Sequence, residues 1–293
     1  MEFFVVYNFL LKFRNWLVKL ADLQKDRPPE MRSWANAGPV HPAPPFHGSP
    51  LGAKKSFQLP AFLRGLFLIL CATIYSFILG PPALIICLLA PSVRRVSAFQ
   101  RIWADWLLQT NGIRISVRGL ENLEKGHSYI LLSNHTSILD IPGIISAFPF
   151  PVRFIAKKSL AWIPIFGWNL HLSGHILIDR KRAQSALKSS KKAASLLKSG
   201  VSIIVFPEGT RSPDGQVKEF KGGTFLLAAE SRAPIVPVSI SGTYQMLPRT
   251  GWCFWPGTIQ IHVGEPIPTQ GVPLSEARLF MKRVRDRIIQ NLK

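Results

Sequence analysis

The chain has 293 residues, of which 47% are hydrophobic and only 18% charged, so it is not a disordered, collagen-like or solvated coiled-coil protein. Lys and Arg total 36 against 16 acidic residues, a formal charge of +20. Such a charge seeks anions, and the accompanying apolar excess favours a membrane surface over nucleic acid. The three cysteines exclude a disulfide scaffold. The sequence has no CxxC or HExxH spacing, so no metal site is expected.

The first sixty residues divide into two segments. Residues 1–24 are apolar and aromatic with interspersed Lys12, Arg14 and Lys19, which fits a helix in the membrane interface. The alternative is an extension with no fixed role. Residues 25–60 hold eight prolines and are interpreted as an extended linker, because proline fixes φ and has no backbone donor.

Residues 61–92 are predicted to form an apolar, membrane-inserted helical hairpin. Between 61 and 90 the only charged residue is Arg64, and the run is interrupted at Gly80-Pro81-Pro82. Lys54 and Lys55 precede the run, and arginines follow it at positions 94, 95 and 101. Segments rich in Lys and Arg beside a membrane helix usually stay on the cytoplasmic side. Because basic residues lie on both sides of this run, a hairpin that enters one leaflet and returns is favoured. The alternatives are a single kinked span and a buried hairpin of a soluble protein.

Residues 93–293 are predicted to form an α/β domain with a largely parallel central sheet flanked by helices. Helices are expected over 181–199, over Lys221–Ser231 and from Ser275. The strand before the helix at 181 and the strand after it are expected to form a parallel pair. Pro237 predicts an edge strand or a bulge. The predicted strands are Tyr129–Ser133, Val152–Ala156, His175–Ile178, Val201–Phe206, Ile235–Ile240 and Thr258–Val263.

A polar cluster follows each of the first four predicted strands. The clusters are Asn134 to Asp140, Lys157-Lys158, Asp179-Arg180 and Pro207 to Ser212. Because the carboxyl ends of parallel strands share one edge of a sheet, the clusters should converge there.

The chemistry expected at this edge is deprotonation of an alcohol beside an anion site. We expect Thr136 or Ser137 to cap a helix that carries Asp140 in its first turn, so that Asp140 can orient His135 as a general base. No GxSxG motif or well-placed cysteine supplies a nucleophile, which leaves the substrate's own hydroxyl. Lys157, Arg180 and Arg211 would form a cationic pocket for a phosphate, and Gly209 would allow a nest of backbone N–H groups.

Several blocks of the sequence resemble the glycerolipid acyltransferases, especially the 1-acyl-sn-glycerol-3-phosphate (lysophosphatidate) acyltransferase family. The block from Asn134 to Asp140 resembles the NHxxxxD motif, and the block from Phe206 to Ser212 resembles FPEGTRS. The blocks at 174–180 and 235–238, the latter with Pro237, are also similar, in the family's order. The resemblance covers roughly residues 95–270 and leaves out residues 1–60.

The resemblance implies a reaction and a set of roles. His135 would take the proton of the sn-2 hydroxyl of a lysophosphatidate, and the alkoxide would attack an acyl thioester, either acyl-CoA or acyl-carrier protein, to give phosphatidate. Neither cofactor nor metal is implied. The enzyme would be membrane-associated with its site on the cytoplasmic side, at the inner membrane if bacterial. The implied roles are acceptor binding for Lys157, Arg180, Glu208, Gly209, Thr210 and Arg211, and motif support for Asn134, Pro207 and Pro237.

Two alternatives remain at the level of sequence. A sibling acyltransferase would use the same chemistry on a different lysolipid. A non-enzymatic basic protein that binds membranes is the other, and the +20 charge motivates it. Nucleic acid is not an expected partner, since the basic residues lack the interleaved aromatics of single-strand binders.

Overall fold

The computed structural model describes residues 58–89, 92–179, 183–221 and 223–292. The predictions for residues 1–24, and for the linker up to residue 57, lie outside these ranges, as does Arg180. The helices are α1 Leu59–Leu89, α2 Val93–Thr110, α3 Asp140–Ala147, α4 Phe166–Leu172, α5 Ala183–Lys198, α6 Gly223–Ser231, α7 Thr243–Met246 and α8 Ala277–Gln290. The strands are β1 Arg114–Arg118, β2 Ile130–Ser133, β3 Val152–Lys157, β4 Ile176–Ile178, β5 Ser202–Val205, β6 Ile235–Ser241 and β7 Thr258–Val263.

One seven-stranded sheet has the order β1-β7-β6-β2-β5-β3-β4. Every neighbouring pair is parallel except β6 and β7, which confirms the predicted fold class. The expected pairing across the 181–199 helix is wrong, because β3 lies between β4 and β5. Strand β1 was not predicted; it is an edge strand that, among the described residues, pairs with β7 alone, and its two terminal arginines are exposed.

Both faces of the sheet are covered, as its apolar strands require. In β2, Leu131 packs with residues of α1, α2 and α3 on one face, whereas Ile130 and Leu132 pack with residues of α5, α6 and α8 on the other. The central strands therefore have no solvent face, and their ends are the places where ligands can reach the sheet.

The apolar segment forms one helix, and the hairpin predicted within 61–92 is wrong. Helix α1 runs through Pro81 and Pro82 without turning back. Proline has a φ that is compatible with a helix, so the penalty is confined to lost donors and local crowding. Buried contacts of Leu79, Gly80 and Ala83 hold the helix on both sides of the prolines. The chain does return, but through α2, whose Trp103 indole N–H donates to Ser76 Oγ at 3.2 Å.

Helix α1 is packed along the domain and also exposes an apolar surface. Phe254 N–H donates to the carbonyl of Ala61 at 2.9 Å, and a Cβ at Gly65 would lie 1.9 Å from the carbonyl oxygen of Trp252. Asn169 of α4 donates to the carbonyl of Gly80 at 3.3 Å. Among the described residues, α1 is the one helix that is long and apolar enough to cross a membrane.

Pro237 lies in β6, between β7 and β2, so the edge-strand interpretation is wrong. Strand β6 pairs with β2 in unbroken register from Ile235 to Val238, so the bulge expected in this strand is wrong as well. Val238 pairs with Val263, whereas Ile235 pairs with Ile267, which leaves one extra residue on the partner chain. Gly264 N–H donates to the carbonyl of Pro237 at 2.8 Å just beyond the end of β7, where a missing donor on proline breaks no ladder bond.

Candidate active site

Asn134 ties the end of β2 to the neighbouring strand β6. Its amide donates to the carbonyl of Ile240 and accepts from the N–H of Ile240, both at 2.8 Å. The side chain is buried, so these two bonds satisfy groups that water does not reach. Asn134 therefore fixes the start of the loop that carries His135.

His135 and Asp140 form a hydrogen-bonded pair at the N-terminus of α3. Nδ1 of His135 lies 2.7 Å from Oδ2 of Asp140, whose side chain is completely buried. A carboxylate can only accept, so Nδ1 carries the hydrogen and Nε2 of the neutral ring has the free lone pair. In the described residues nothing is hydrogen-bonded to Nε2. The pair therefore has the arrangement of an oriented general base.

The local geometry corrects one expectation about this loop. Neither Thr136 nor Ser137 caps α3, whose N-cap position is Leu139. Instead the backbone N–H groups of Thr136 and Ser137 donate to Oδ2 of Asp140, at 2.8 and 2.9 Å. One carboxylate oxygen thus holds both the loop and the imidazole, while Oδ1 is buried and has no hydrogen-bond partner.

The loop after β5 forms hydrogen bonds with both the N–H and the carbonyl of His135. Oε1 of Glu208 accepts the N–H of His135 at 2.9 Å, and Ser212 N–H donates to the carbonyl of His135 at 2.8 Å. Oε2 of Glu208 accepts the N–H of Lys218 at 3.2 Å. Burial raises the pKa of Glu208, and the two backbone N–H groups oppose that shift. Both oxygens of this buried carboxylate are engaged by the protein, so Glu208 fixes the backbone of His135 and does not form part of the open surface.

Gly209 supports the turn, and its own N–H is not available to the expected nest. Its φ is +75°, which favours glycine, and its N–H donates to the carbonyl of Phe206 at 3.0 Å. Pro207 is buried and its carbonyl accepts from Lys221 N–H at 3.1 Å. Thr210 is exposed at the tip of the loop. The loop therefore has a fixed shape set by its own hydrogen bonds.

Arg211 lies on the same side of the sheet as the His135–Asp140 pair. Its guanidinium is near enough to Asp140 for that carboxylate to oppose the lowering of the Arg211 pKa that burial and Arg249 cause. The structure thus brings together His135, Asp140 and Arg211, which are up to 76 positions apart in the chain. Lys157 is exposed at the end of β3, two strands from β2.

The segment after β6, Thr243–Arg249, also lies at the site and was not among the predicted site residues. Thr243 Oγ1 lies 3.0 Å from Thr136 Oγ1, and Ser137 Oγ donates to the carbonyl of Leu247 at 2.6 Å. Arg249 donates to the carbonyl of Arg211 at 3.0 Å. The signal was available, because β6 is parallel to β2 and a polar segment follows it at the same sheet edge.

An apolar cavity of about 120 Å³ lies near the site. The ring of His135 stacks on Phe206 with centroids 4.0 Å apart, and Phe206 is in turn 6.4 Å from Phe154, which lines the cavity. Ile141, next to Asp140, also lines it. The walls come from α1, α2, β3 and α4 and include Leu79, Ala83, Phe99, Trp103, Phe154 and Phe166.

A buried polar cluster borders the cavity. His175 Nδ1 accepts from Phe154 N–H at 3.0 Å, and the Gln100 amide lies 2.7 Å from Nε2. Burial, with Arg153 and Lys192 nearby, lowers the pKa of His175 to about 3. Arg153 is also buried and donates to Ser97 Oγ at 3.0 Å, and burial lowers its pKa to about 10. Within the described ranges, no group of three or more His, Cys, Asp or Glu side chains could hold a metal ion.

The fold and these loops match known acyltransferases. The family model described as Acyltransferase matches residues 114–241. The chain is 35% identical over 210 residues to the 1-acyl-sn-glycerol-3-phosphate acyltransferase of Pseudomonas aeruginosa, covering 70% of this chain and 80% of that protein. It is 36% identical over 179 residues to the human 1-acyl-sn-glycerol-3-phosphate acyltransferase alpha, covering 61% of this chain and 63% of the human protein.

A solved structure has a similar fold. The crystal structure of the 1-acyl-sn-glycerophosphate (LPA) acyltransferase PlsC from Thermotoga maritima has a TM-score of 0.66 and 31% identity, covering 80% of this chain and 96% of that chain. The protein therefore belongs to the 1-acyl-sn-glycerol-3-phosphate acyltransferase family of glycerolipid acyltransferases. The matched region spans less than two thirds of the human relative's length.

Proposed function

We propose that this protein transfers an acyl group from an acyl thioester to the sn-2 hydroxyl of lysophosphatidate, giving phosphatidate. The observation that carries this proposal is the His135–Asp140 pair, 2.7 Å apart, held by the same loop that presents Arg211. The named activity of the Pseudomonas aeruginosa relative and of the Thermotoga maritima structure supports it.

The chemistry assigned to the pair is general-base catalysis without an acyl-enzyme. Nε2 of His135 takes the hydroxyl proton as the acceptor oxygen attacks the thioester carbonyl. The tetrahedral intermediate then expels the thiolate, which takes the proton from Nε2 and leaves as the free thiol. Asp140 stabilises the imidazolium between these steps through its bond to Nδ1.

Arg211 is assigned to the acceptor phosphate, because a guanidinium can bind two phosphate oxygens at once. Lys157 and Arg180, which follow the neighbouring strands in the sequence, are proposed to assist. Glu208 and Gly209 are proposed to shape the loop, as their hydrogen bonds indicate, and not to bind the acceptor.

The apolar cavity beside Phe154 is proposed to hold the acyl chain of the donor. Its walls are almost entirely aliphatic and aromatic, so it offers an alkyl chain the burial that drives its transfer from water. The donor is acyl-CoA or acyl-carrier protein, and both present the same acyl thioester.

The enzyme is proposed to bind the cytoplasmic face of a membrane through α1. This helix contacts the domain from Ala61 to Ala83, so it lies along the domain and its outer face is the part available to lipid. That outer face is apolar and includes Leu63, Phe67, Leu70, Phe77 and Ile78. The +20 charge would add attraction to anionic headgroups.

The deciding experiment is a purified-enzyme assay of thiol release that crosses several lysolipids with acyl-CoA and acyl-carrier protein. Lysophosphatidate should be the preferred acceptor, and His135→Ala should abolish thiol release while binding to vesicles persists. Turnover with only another lysolipid would move the assignment to a sibling acceptor. Vesicle binding with no turnover for any pair would contradict an enzymatic role.

A further inference from the structure

The segment Thr243–Arg249 lies against both loops of the proposed site. Thr243 contacts Thr136, and Leu247 accepts from Ser137, so the segment is fixed to the loop that carries His135. Tyr244 OH donates to the carbonyl of Pro213 at 3.2 Å, which fixes it to the loop that carries Arg211. The segment is thus a third wall of the site, and Arg249 stands at its end.

We propose that Arg249 is a second phosphate ligand, which forms with Arg211 a two-guanidinium subsite for a phosphomonoester headgroup. This inference rests on the proposed function and deepens it. Nη1 of Arg249 donates to the main-chain oxygen of Arg211 at 3.0 Å, so the two residues are held in direct contact. Arg249 is exposed to solvent.

The charge balance around this pair favours an anion with more than one charge. Burial lowers the pKa of Arg211 and the nearby positive charge of Arg249 lowers it further, while the carboxylate of Asp140 opposes both. Within the described ranges neither guanidinium forms an ion pair with a carboxylate, since Glu208 is engaged by backbone N–H groups and Asp140 by His135. A phosphomonoester carries close to two negative charges at neutral pH, whereas the phosphodiester of a larger headgroup carries one.

The subsite therefore predicts how the enzyme selects its acceptor. A phosphomonoester can bind both guanidiniums with charge-assisted hydrogen bonds and remove their mutual repulsion. A phosphodiester has one charge fewer and a substituent that occupies one of its oxygens. Lysophosphatidate should thus be preferred over lysophosphatidylglycerol, and Arg249 should carry much of that preference.

The test compares Arg249→Gln, Arg249→Lys and, as a matched control, Arg278→Gln on the exposed first turn of α8. Glutamine removes the charge and keeps an amide N–H donor on a shorter side chain. We expect Arg249→Gln to raise the KM for lysophosphatidate about tenfold to hundredfold, with a smaller effect on kcat. Arg249→Lys should recover part of the loss, and Arg278→Gln should behave as wild type.

A second measurement separates this inference from the proposed function. Binding of glycerol 3-phosphate, measured by calorimetry on the full-length protein in detergent, should weaken at least tenfold in Arg249→Gln. If wild type acylates no lysophosphatidate but this weakening is seen, the proposed function fails and the subsite stands. Unchanged KM and unchanged glycerol 3-phosphate binding, or an equal loss for lysophosphatidylglycerol, would overturn the subsite alone.

Discussion

Replacing Asp140 by Asn isolates the charge behind the proposed base. Oδ2 of Asp140 accepts three hydrogen bonds, from His135 Nδ1 and from the N–H groups of Thr136 and Ser137. A single amide oxygen can occupy that position and keep all three. The amide nitrogen would take the place of Oδ1, which is buried and has no hydrogen-bond partner. The substitution therefore keeps the shape of the loop and removes the negative charge.

The size of the effect follows from the separation of the charges. With Nδ1 and Oδ2 2.7 Å apart, the centres of the two charged groups are about 4 Å apart, which at an effective dielectric of about 20 corresponds to about 4 kcal/mol. Because the imidazolium forms only during the reaction, this stabilisation is lost from the transition state. We expect kcat to fall about 10³-fold.

The assay is thiol release at saturating lysophosphatidate and acyl-CoA, with thermal unfolding measured on the same samples. The variant should unfold within a few degrees of wild type. A kcat within tenfold of wild type would refute the charge argument. A loss of kcat accompanied by a large drop in unfolding temperature would show that the substitution disrupted the loop instead.

Three further predictions concern positioning and stability. Glu208→Gln places an NH₂ group against a backbone N–H, so we expect about 2 kcal/mol lower stability by denaturant unfolding and a lower kcat; a raised KM alone would restore an acceptor-binding role. The low pKa of His175 means that the unfolded chain binds a proton the folded chain does not, so stability should fall by about 1.4 kcal/mol per unit as pH drops below 6.5 towards 3. His175→Gln should flatten that pH dependence of the unfolding free energy. Gly65→Ala should lower the unfolding temperature, because its Cβ would lie 1.9 Å from the carbonyl oxygen of Trp252, whereas Gly223→Ala, which has nothing within 4 Å, should not.

The periodicity of the apolar residues predicted most of the fold. Strands buried on both faces, such as β2 and β5, are short apolar runs in the sequence, and each was located to within two residues. Strand β1 was missed because it is an edge strand bounded by arginines and has no such run. The neighbours of β4 could not be predicted, since sequence order does not state which strand a crossover connection reaches.

The residues of the site were more predictable than their roles. The positions of His135, Asp140 and Arg211 just after predicted strands indicated that they would converge, because the carboxyl ends of parallel strands lie at one edge of the sheet. The role of Glu208 depends on which backbone N–H groups its oxygens meet, and that is fixed by loop geometry over ten residues. Similarly, the cap of α3 could not be assigned in advance, because Asp140 binds the N–H groups of Thr136 and Ser137 themselves and fixes the loop from within the helix.

The two hydrogen bonds between the Glu208–Ser212 loop and the backbone of His135 have a consequence for substrate binding. Because the N–H and the carbonyl of His135 are both bonded to the Glu208–Ser212 loop, the backbone that carries the imidazole and the backbone that carries Arg211 are held at a fixed separation. A shift of either backbone would displace the other. Reorganisation before reaction is thereby small, and an acceptor whose hydroxyl stands at the wrong distance from its phosphate must be rejected by simple misfit.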